Sequence, residues 1–288
     1  MRIPAKLIVE ASCTAGRFAA PLFAGRVRNP VFIVGCGRSG TTLLNHLFDQ
    51  HPEVANFPSE ANELWHPRLY PWHESKVDAP PFFIDPVGFT RTSLALRTAA
   101  DDRRLLGTFG AFQTVSRRPV FLNKTVMVTF MLDKVVELFP SARFVHLYRD
   151  GRAVALSALK KERDKLTRPR YVQQGHVFDD DGFLRLYVAH WQEHILALDE
   201  ADRRLGLRRD GRLYELGYEE LCRDPRAALT GLARFLGVSA QPFVAGDLGK
   251  IENTNYKARG ALSGDALVRM SDAGARGLSM KGYGAEIR

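Results

Sequence analysis

One local pattern constrains this chain more than any other: an apolar strand that runs straight into a glycine-rich turn and then into an amphipathic helix. Val31-Phe32-Ile33-Val34 leads into Gly35-Cys36-Gly37-Arg38-Ser39-Gly40, and Thr41-Thr42-Leu43-Leu44 opens the helix. Such a layout cradles an anion. The glycines let the backbone close around it, several N–H groups point inward, and the positive end of the helix dipole adds to the attraction. The spacing Gly35-x4-Gly40 followed by Thr41-Thr42 nearly matches the Walker pattern, but Thr41 stands where the lysine that reaches β- and γ-phosphates would be. The positive charge lies inside the loop instead, at Arg38. This weakens an ATPase reading and suits a smaller anion at the end of a mononucleotide.

Strand-like runs recur at Pro119–Leu122 and Ala142–Tyr148, each leading toward a helical pattern. Met127 to Leu138 places apolar residues at helical spacing and is closed by Pro140, and Ala153 to Leu159 opens a helix after Gly151. Phe183 to Leu198 reads as a long helix and Arg212 to Leu216 as a strand. Pro225 to Leu236 reads as a helix, with proline at its start and Gly237 past its end. Strands alternating with helices predict an α/β fold, a three-layer α/β/α domain with a P-loop-like parallel sheet covered on both faces. Residues 1–28 form an N-terminal segment and residues 29–288 a single domain. Residues 56–86, with Trp65, His66, Trp72 and His73, and residues 163–182, with Pro169, Gly175 and Gly182, read as insertions at the mouth of the sheet, where a second substrate would meet the protein.

Over 288 residues, 45% hydrophobic and 25% charged is the balance of an ordinary globular domain. The net charge of +9 calls for an anionic partner. The basic residues are spread along the chain with no zinc-finger or RNP-like signature, so a phosphate-bearing cofactor is expected and no nucleic acid. Cys13, Cys36 and Cys222 lie far apart without a C-x-x-C pair, which indicates neither a disulfide framework nor a zinc site and fits a reducing cytosol. Glu10, Ser12, Thr14 and Arg17 interrupt the apolar residues near the N-terminus, so neither a signal-peptide core nor a membrane span is read there. Residues 5–25 read as an amphipathic helix, either packed on the domain or laid on a membrane surface. A cytoplasmic protein is expected, with membrane association the alternative for that segment.

A second constellation, Arg149-Asp150-Gly151-Arg152-Ala153-Val154-Ala155-Leu156-Ser157, falls where a strand ends and a helix begins. Ligands of open parallel sheets sit outside the carboxyl ends of strands. Arg149 can grip a phosphate bidentately, and Ser157, two turns into the helix, can donate to the same group. An arginine and a serine alone would more often be a surface ion pair and a solvated hydroxyl.

The Gly35–Thr42 loop, Asn123-Lys124-Thr125, Leu138 to Phe144 with its Arg149 to Ser157 continuation, and Tyr218-Glu219-Glu220-Leu221 with Asp224-Pro225 together resemble the sulfotransferases that use 3′-phosphoadenosine 5′-phosphosulfate. They occur in the family's order, over roughly residues 30 to 257. The arginine form of the loop, His51-Pro52 after its helix and the Asn123-Lys124 pair most resemble the tyrosylprotein sulfotransferases and related bacterial proteins. The resemblance implies that Arg38, Ser39, Gly40, Thr41 and Thr42 hold the 5′-phosphosulfate, that Arg149 and Ser157 read the 3′-phosphate, and that Tyr218 lies beside the nucleotide. Lys250 to Thr254 resembles a late segment that closes over the cofactor, which implies roles for Thr254 and Lys257.

The same resemblance implies a glutamate base downstream of the loop. Glu60 falls within one residue of that position, Glu63 is one helical turn later, and Glu53 directly follows Pro52. A histidine base, as in cytosolic small-molecule sulfotransferases, would be His66 or His73, while His46 and His51 read as structural. Lys124 matches the lysine that stabilises the leaving phosphate, with Arg38 able to share the work. No metal is expected, because these cations supply the charge that Mg²⁺ supplies in kinases. The product would be 3′,5′-adenosine bisphosphate and the acceptor a hydroxyl on a carbohydrate, lipid, small alcohol or phenol, or peptide tyrosine. The rivals are a P-loop kinase and a nucleotide-binding module without sulfotransfer.

Overall fold

The computed structural model of the chain describes residues 5–49, 51–70, 77, 79–166, 178–246, 248–259 and 261–287; Trp72, His73, Pro169 and Gly175 lie outside them. Strands β1 (Pro30–Val34), β2 (Val54–Phe57), β3 (Val120–Lys124), β4 (Arg143–Tyr148) and β5 (Leu213–Gly217) form one parallel sheet in the order β2-β3-β1-β4-β5. The main helices are α1 (Ala5–Phe18), α2 (Thr41–Leu47), α3 (Pro86–Leu96), α4 (Ala99–Ser116), α5 (Leu132–Leu138), α6 (Gly151–Leu166), α7 (Asp180–Leu205), α8 (Pro225–Leu236) and α9 (Gly264–Ala273).

Alternation along the strands sorts the core into two layers. Phe32 and Val34 of β1 pack with Phe121, Phe144 and the inner residues of α4, α5 and α7, while Val31 and Ile33 pack with Leu44, Leu122, Val145 and the apolar stripe of α8. Every residue of β1 is buried, as an inner strand with helices on both faces requires. The three-layer α/β/α arrangement with a parallel sheet is therefore what the chain adopts. Helix α8 runs from Pro225 to Leu236, with the Asp224 carboxylate accepting from Ala227 N at 2.9 Å and Gly237 left-handed at φ 66° beyond the end.

Three elements depart from expectation. Strand β2 occupies the start of the region read as an insertion; its polar Asn56 is tolerated because Nδ2 donates to Asn45 O (3.1 Å) and Asp49 Oδ1 (2.7 Å). The Met127–Leu138 helix is broken: a 3-10 turn covers Met127–Phe130 and α5 starts at Leu132. Thr129 in that turn accepts from Gly35 N at 3.1 Å, so a tertiary contact to the glycine loop fixes the break. Finally, both ends of residues 163–182 are helical, since α6 continues to Leu166 and α7 begins at Asp180, capped by Asp179; residues 167–177 lie outside the described ones.

The segment read as an amphipathic helix packs on the domain. Helix α1 and the short helix Ala20–Phe23 lie on the glycine face of α4; a Cβ at Gly107 would stand 2.7 Å from Ala20 Cα. Leu7, Phe18 and Leu22 stay exposed on the outside. No helix among the described residues is long and apolar enough to cross a membrane.

Candidate active site

The glycine loop leaves β1 at the carboxyl edge of the sheet, where strand order reverses between β3 and β4. Its backbone turns through positive φ at Gly35 (126°), Arg38 (70°) and Gly40 (96°). Glycine is required twice: a Cβ at Gly35 would lie 2.5 Å from Leu147 O, and one at Gly40 would lie 2.8 Å from Tyr218 Cδ2. Ser39 is fully buried, and its Oγ has no hydrogen-bond partner among the described residues. A hydroxyl so placed costs about 1–3 kcal/mol unless something satisfies it. The orphaned Ser39 Oγ, the curled backbone and the start of α2 at Thr41, with Thr42 exposed beside it, suit a bound phosphate-type anion.

Arg149 leaves the end of β4 into a largely buried position. Its guanidinium lies over the Tyr218 ring at 4.4 Å, Nε donates to Asn255 Oδ1 (2.7 Å), Nη2 to Thr254 Oγ1 (3.1 Å) and Nη1 to Arg38 O (3.4 Å). Burial pulls its pKa down, opposed by Tyr218, Glu219, Cys222 and Asp150; an arginine so placed stays charged. The Tyr218 hydroxyl donates to Glu252 O (2.8 Å) and accepts from Thr254 N (3.3 Å), which holds the late segment against the ring. Arg38 Nε donates to Ser157 Oγ at 3.4 Å, so the first loop and α6 meet. The structure thus assembles Arg38, Arg149, Ser157, Tyr218 and Thr254 into one cluster. Lys257 is outside it: exposed, with its ammonium 5.6 Å from the Tyr256 ring, it makes no ion pair among the described residues.

Lys124 ends β3 opposite Ile33 of β1, one strand position short of the glycine loop. Its ammonium is ion-paired with Glu60 Oε1, both groups only partly exposed. The segment after β2 is tied to the same strand end. Asn123 Nδ2 donates to Ser59 O (2.8 Å), and Trp65 Nε1 donates to Asn123 Oδ1 (3.1 Å). Ala61 takes a left-handed turn at φ 53° between them.

Two of the rival bases, Glu63 and His66, lie elsewhere. Glu63 sits close enough to Cys13 of α1 to help raise that thiol's pKa, after burial. His66 is fully buried against Phe89 and hydrogen-bonded to Ser93 Oγ at 2.8 Å. It thus sits in the core and not at the mouth of the sheet, and burial, then Arg97, push its pKa down to about 3. Trp65 is likewise a core residue, edge-on to Phe32 at 5.8 Å, and does not stack on an acceptor; Tyr70 remains exposed. Glu53 accepts from Ser239 N at 2.7 Å, and His51 is bonded to Ser239 O at 3.0 Å.

Several supporting residues were missed. Glu219 Oε1 accepts from Asn255 Nδ2 (2.8 Å) and from Asp150 N (3.0 Å), and Glu219 Oε2 from the Tyr283 hydroxyl (2.8 Å). Arg152 is buried and binds Asp150 as well as the carbonyls of Gly284, Ala285 and Glu286, locking the C-terminal tail to the Arg149 turn. Glu219 and Arg152 belonged to motifs already picked out, but their partners are distant in sequence. The fold also gathers Cys36 of the loop with His190 and His194 of α7, which no local spacing encodes.

A parallel sheet whose first strand runs into a glycine loop lacking the Walker lysine, with an arginine stacked on a tyrosine at the next strand end, defines an α/β domain of P-loop-like fold. The model of the sulfotransferase family matches residues 30–242, and the chain belongs to that family. It is similar to a protein-tyrosine sulfotransferase of Drosophila melanogaster, 27% identical over 72% of this chain and 38% of that protein. It is also similar to protein-tyrosine sulfotransferase 2 of Gallus gallus, 26% identical over 73% of this chain and 51% of that protein. The chain thus spans about two fifths to a half of the length of these curated relatives. Among solved structures, sulfotransferase STF9 from Mycobacterium avium superposes with a TM-score of 0.63 at 16% identity, covering 97% of this chain and 83% of that one. The sulfotransferase domain from the curacin biosynthetic pathway gives 0.62 at 17% identity, covering 90% and 99%. At such identities the likeness establishes the fold.

Proposed function

We propose that the chain transfers a sulfuryl group from 3′-phosphoadenosine 5′-phosphosulfate to a hydroxyl-bearing acceptor by in-line displacement. The observation that carries this reading is the Glu60–Lys124 ion pair at the strand end beside an anion loop without a Walker lysine. When bound, the donor supplies an activated sulfuryl group on a phosphate leaving group. Arg38, Ser39, Gly40, Thr41 and Thr42 would hold its 5′ end. Arg149 and Ser157 would hold its 3′-phosphate beside Tyr218, and Thr254, with Lys257 after it, would close the late segment.

Glu60 takes the proton of the acceptor hydroxyl. Lys124 then has two anions to choose between: Glu60 before reaction, and the phosphate oxygen that gains charge as the sulfuryl group leaves. A cation whose attraction to the leaving oxygen grows along the reaction lowers the barrier more than it tightens ground-state binding. Arg38, in the loop, adds to that field. Relatives are named for protein tyrosine and for an omega-hydroxy-beta-dihydromenaquinone, each of which carries a hydroxyl, and this supports a hydroxyl acceptor here.

The test is single-turnover sulfuryl transfer with labelled donor against a panel of phenols, alcohols, sugars and tyrosine peptides, in wild type and in Glu60→Gln. Transfer in wild type with loss in the variant supports the reading. Magnesium-dependent ATP turnover without sulfuryl transfer would replace it with a kinase, and nucleotide binding without either reaction would replace it with a binding module.

A further inference from the structure

Cys36, between the first two glycines of the anion loop, is buried together with His190 and His194, which stand one turn apart on α7. One ligand atom from each lies within 4.8 Å of the other two. His190 Nε2 and His194 Nε2 are 3.3 Å apart. Two imidazoles on one tetrahedral zinc, each about 2.0–2.1 Å from the ion, hold their nitrogens roughly 3.3–3.4 Å apart, and a thiolate at about 2.3 Å stands roughly 3.6 Å from each. The histidines therefore already have the required separation, and the sulfur needs to close by only about 1 Å.

The surroundings suit a soft ligand set. Phe82 lies 5.3 Å from the His190 ring and 5.9 Å from that of His194, and Phe130 lies 4.6 Å from His194. These rings wall the cluster. Nδ1 of both histidines is buried without a hydrogen-bond partner among the described residues, so the two Nε2 atoms that face each other are the ring nitrogens open to a shared ion. Thiolate with two imidazoles is a donor set for zinc, whereas Mg²⁺ and Ca²⁺ demand oxygens.

We propose that Cys36, His190 and His194 bind one Zn²⁺ ion, leaving a fourth position for water. On binding, the thiol proton leaves to solvent, the hydrogen bond between the imidazoles breaks, and one Zn–S and two Zn–N bonds form. The cluster goes from neutral to a single positive charge. Because Cys36 belongs to the loop and the histidines to α7, the ion ties the entrance of the anion loop to that helix. This stands whether or not the sulfuryl-transfer reading holds, since metal binding is measured without activity.

The experiment uses the untagged full chain, stripped with chelator and titrated with Co²⁺. One equivalent should produce thiolate-to-cobalt charge-transfer absorption together with intense tetrahedral d–d bands, and Zn²⁺ should bleach both. Cys36→Ser should abolish the charge-transfer band, and His190→Gln with His194→Gln should weaken uptake at least ~10-fold. Should these variants misfold, X-ray absorption on wild-type zinc protein decides alone: one sulfur at about 2.3 Å and two imidazoles at about 2.0–2.1 Å are expected. Absence of cobalt uptake by folded wild type, a charge-transfer band that survives Cys36→Ser, or a zinc shell of oxygen and nitrogen only would each overturn the proposal.

Discussion

Arg149→Lys keeps the charge at the end of β4 and removes the planar fork, which makes it the sharpest probe of the nucleotide site. A guanidinium has five N–H donors. In the structure Nε–H is spent on Asn255, one Nη2–H on Thr254 and one Nη1–H on the long contact to Arg38 O, which leaves two N–H groups uncommitted among the described residues. If both meet a 3′-phosphate, the lysine loses one charge-assisted bond, worth about 1.5–3 kcal/mol. At 1.4 kcal/mol per decade, 3′,5′-adenosine bisphosphate should bind roughly 10- to 150-fold more weakly. AMP, identical but for the 3′-phosphate, should lose little. Calorimetry of both nucleotides on both proteins closes a cycle whose coupling belongs to the Arg149–phosphate pair alone. An unchanged ratio of the two affinities on mutation, or equal affinity in wild type, would refute the assignment, and a matched loss for AMP would show that the late segment had simply come loose.

Glu60→Gln should leave cofactor affinity near wild type while single-turnover transfer falls by about 10²–10⁴, the usual range for a positioned base, and Lys124→Ala should likewise cost turnover more than affinity. Near-normal rates in both would remove them from the mechanism. Gly40→Val should abolish nucleotide binding in a chain that still folds by circular dichroism, since its Cβ would lie 2.8 Å from the Tyr218 ring at a φ of 96°; normal binding would mean that the loop approaches no ligand. His66, held by burial and Arg97 at a pKa of about 3, makes stability fall with acid. Above pH 6.5 neither state binds the proton; below it the unfolded chain does and the folded chain does not, which amounts to about 2 kcal/mol by pH 5. Urea midpoints at pH 7 and pH 5 should show His66→Gln losing less on acidification than wild type, and equal losses would contradict this.

The parts legible in the sequence were those whose physics is local. An inner strand buried on both faces reads as an unbroken apolar run, and a turn needing positive φ reads as glycine, so β1, β4 and the anion loop stood out. Strand β2 did not: four residues with a buried asparagine look like a strand only once Asn45 and Asp49 satisfy Asn56. Helix α4 was hidden by Gly107 and Gly110, which weaken a helical pattern and have a reason only when α1 and the Ala20–Phe23 turn are packed on them. The proline and aromatic content around Trp65 and His66 resembles a binding loop at the mouth of the sheet, yet the short Asn62–Trp65 helix turns both into the core.

That inward turn also explains how the candidate base is held. Consecutive side chains of a strand point to opposite faces, and the segment after β2 grips both faces at the end of β3: Trp65 and the Ser59 carbonyl take Asn123, while Glu60 takes Lys124. The left-handed Ala61 lets one short stretch of backbone serve the buried side and the open side in turn. Trp65 anchored against Phe32 and Phe109 is therefore not idle packing; it fixes the backbone from which Glu60 reaches the lysine. The Asn123-Lys124 pair divides its work by face, the asparagine holding the loop and the lysine meeting the charge. A loop so anchored presents its carboxylate from a rigid base, as proton abstraction at a fixed acceptor position requires.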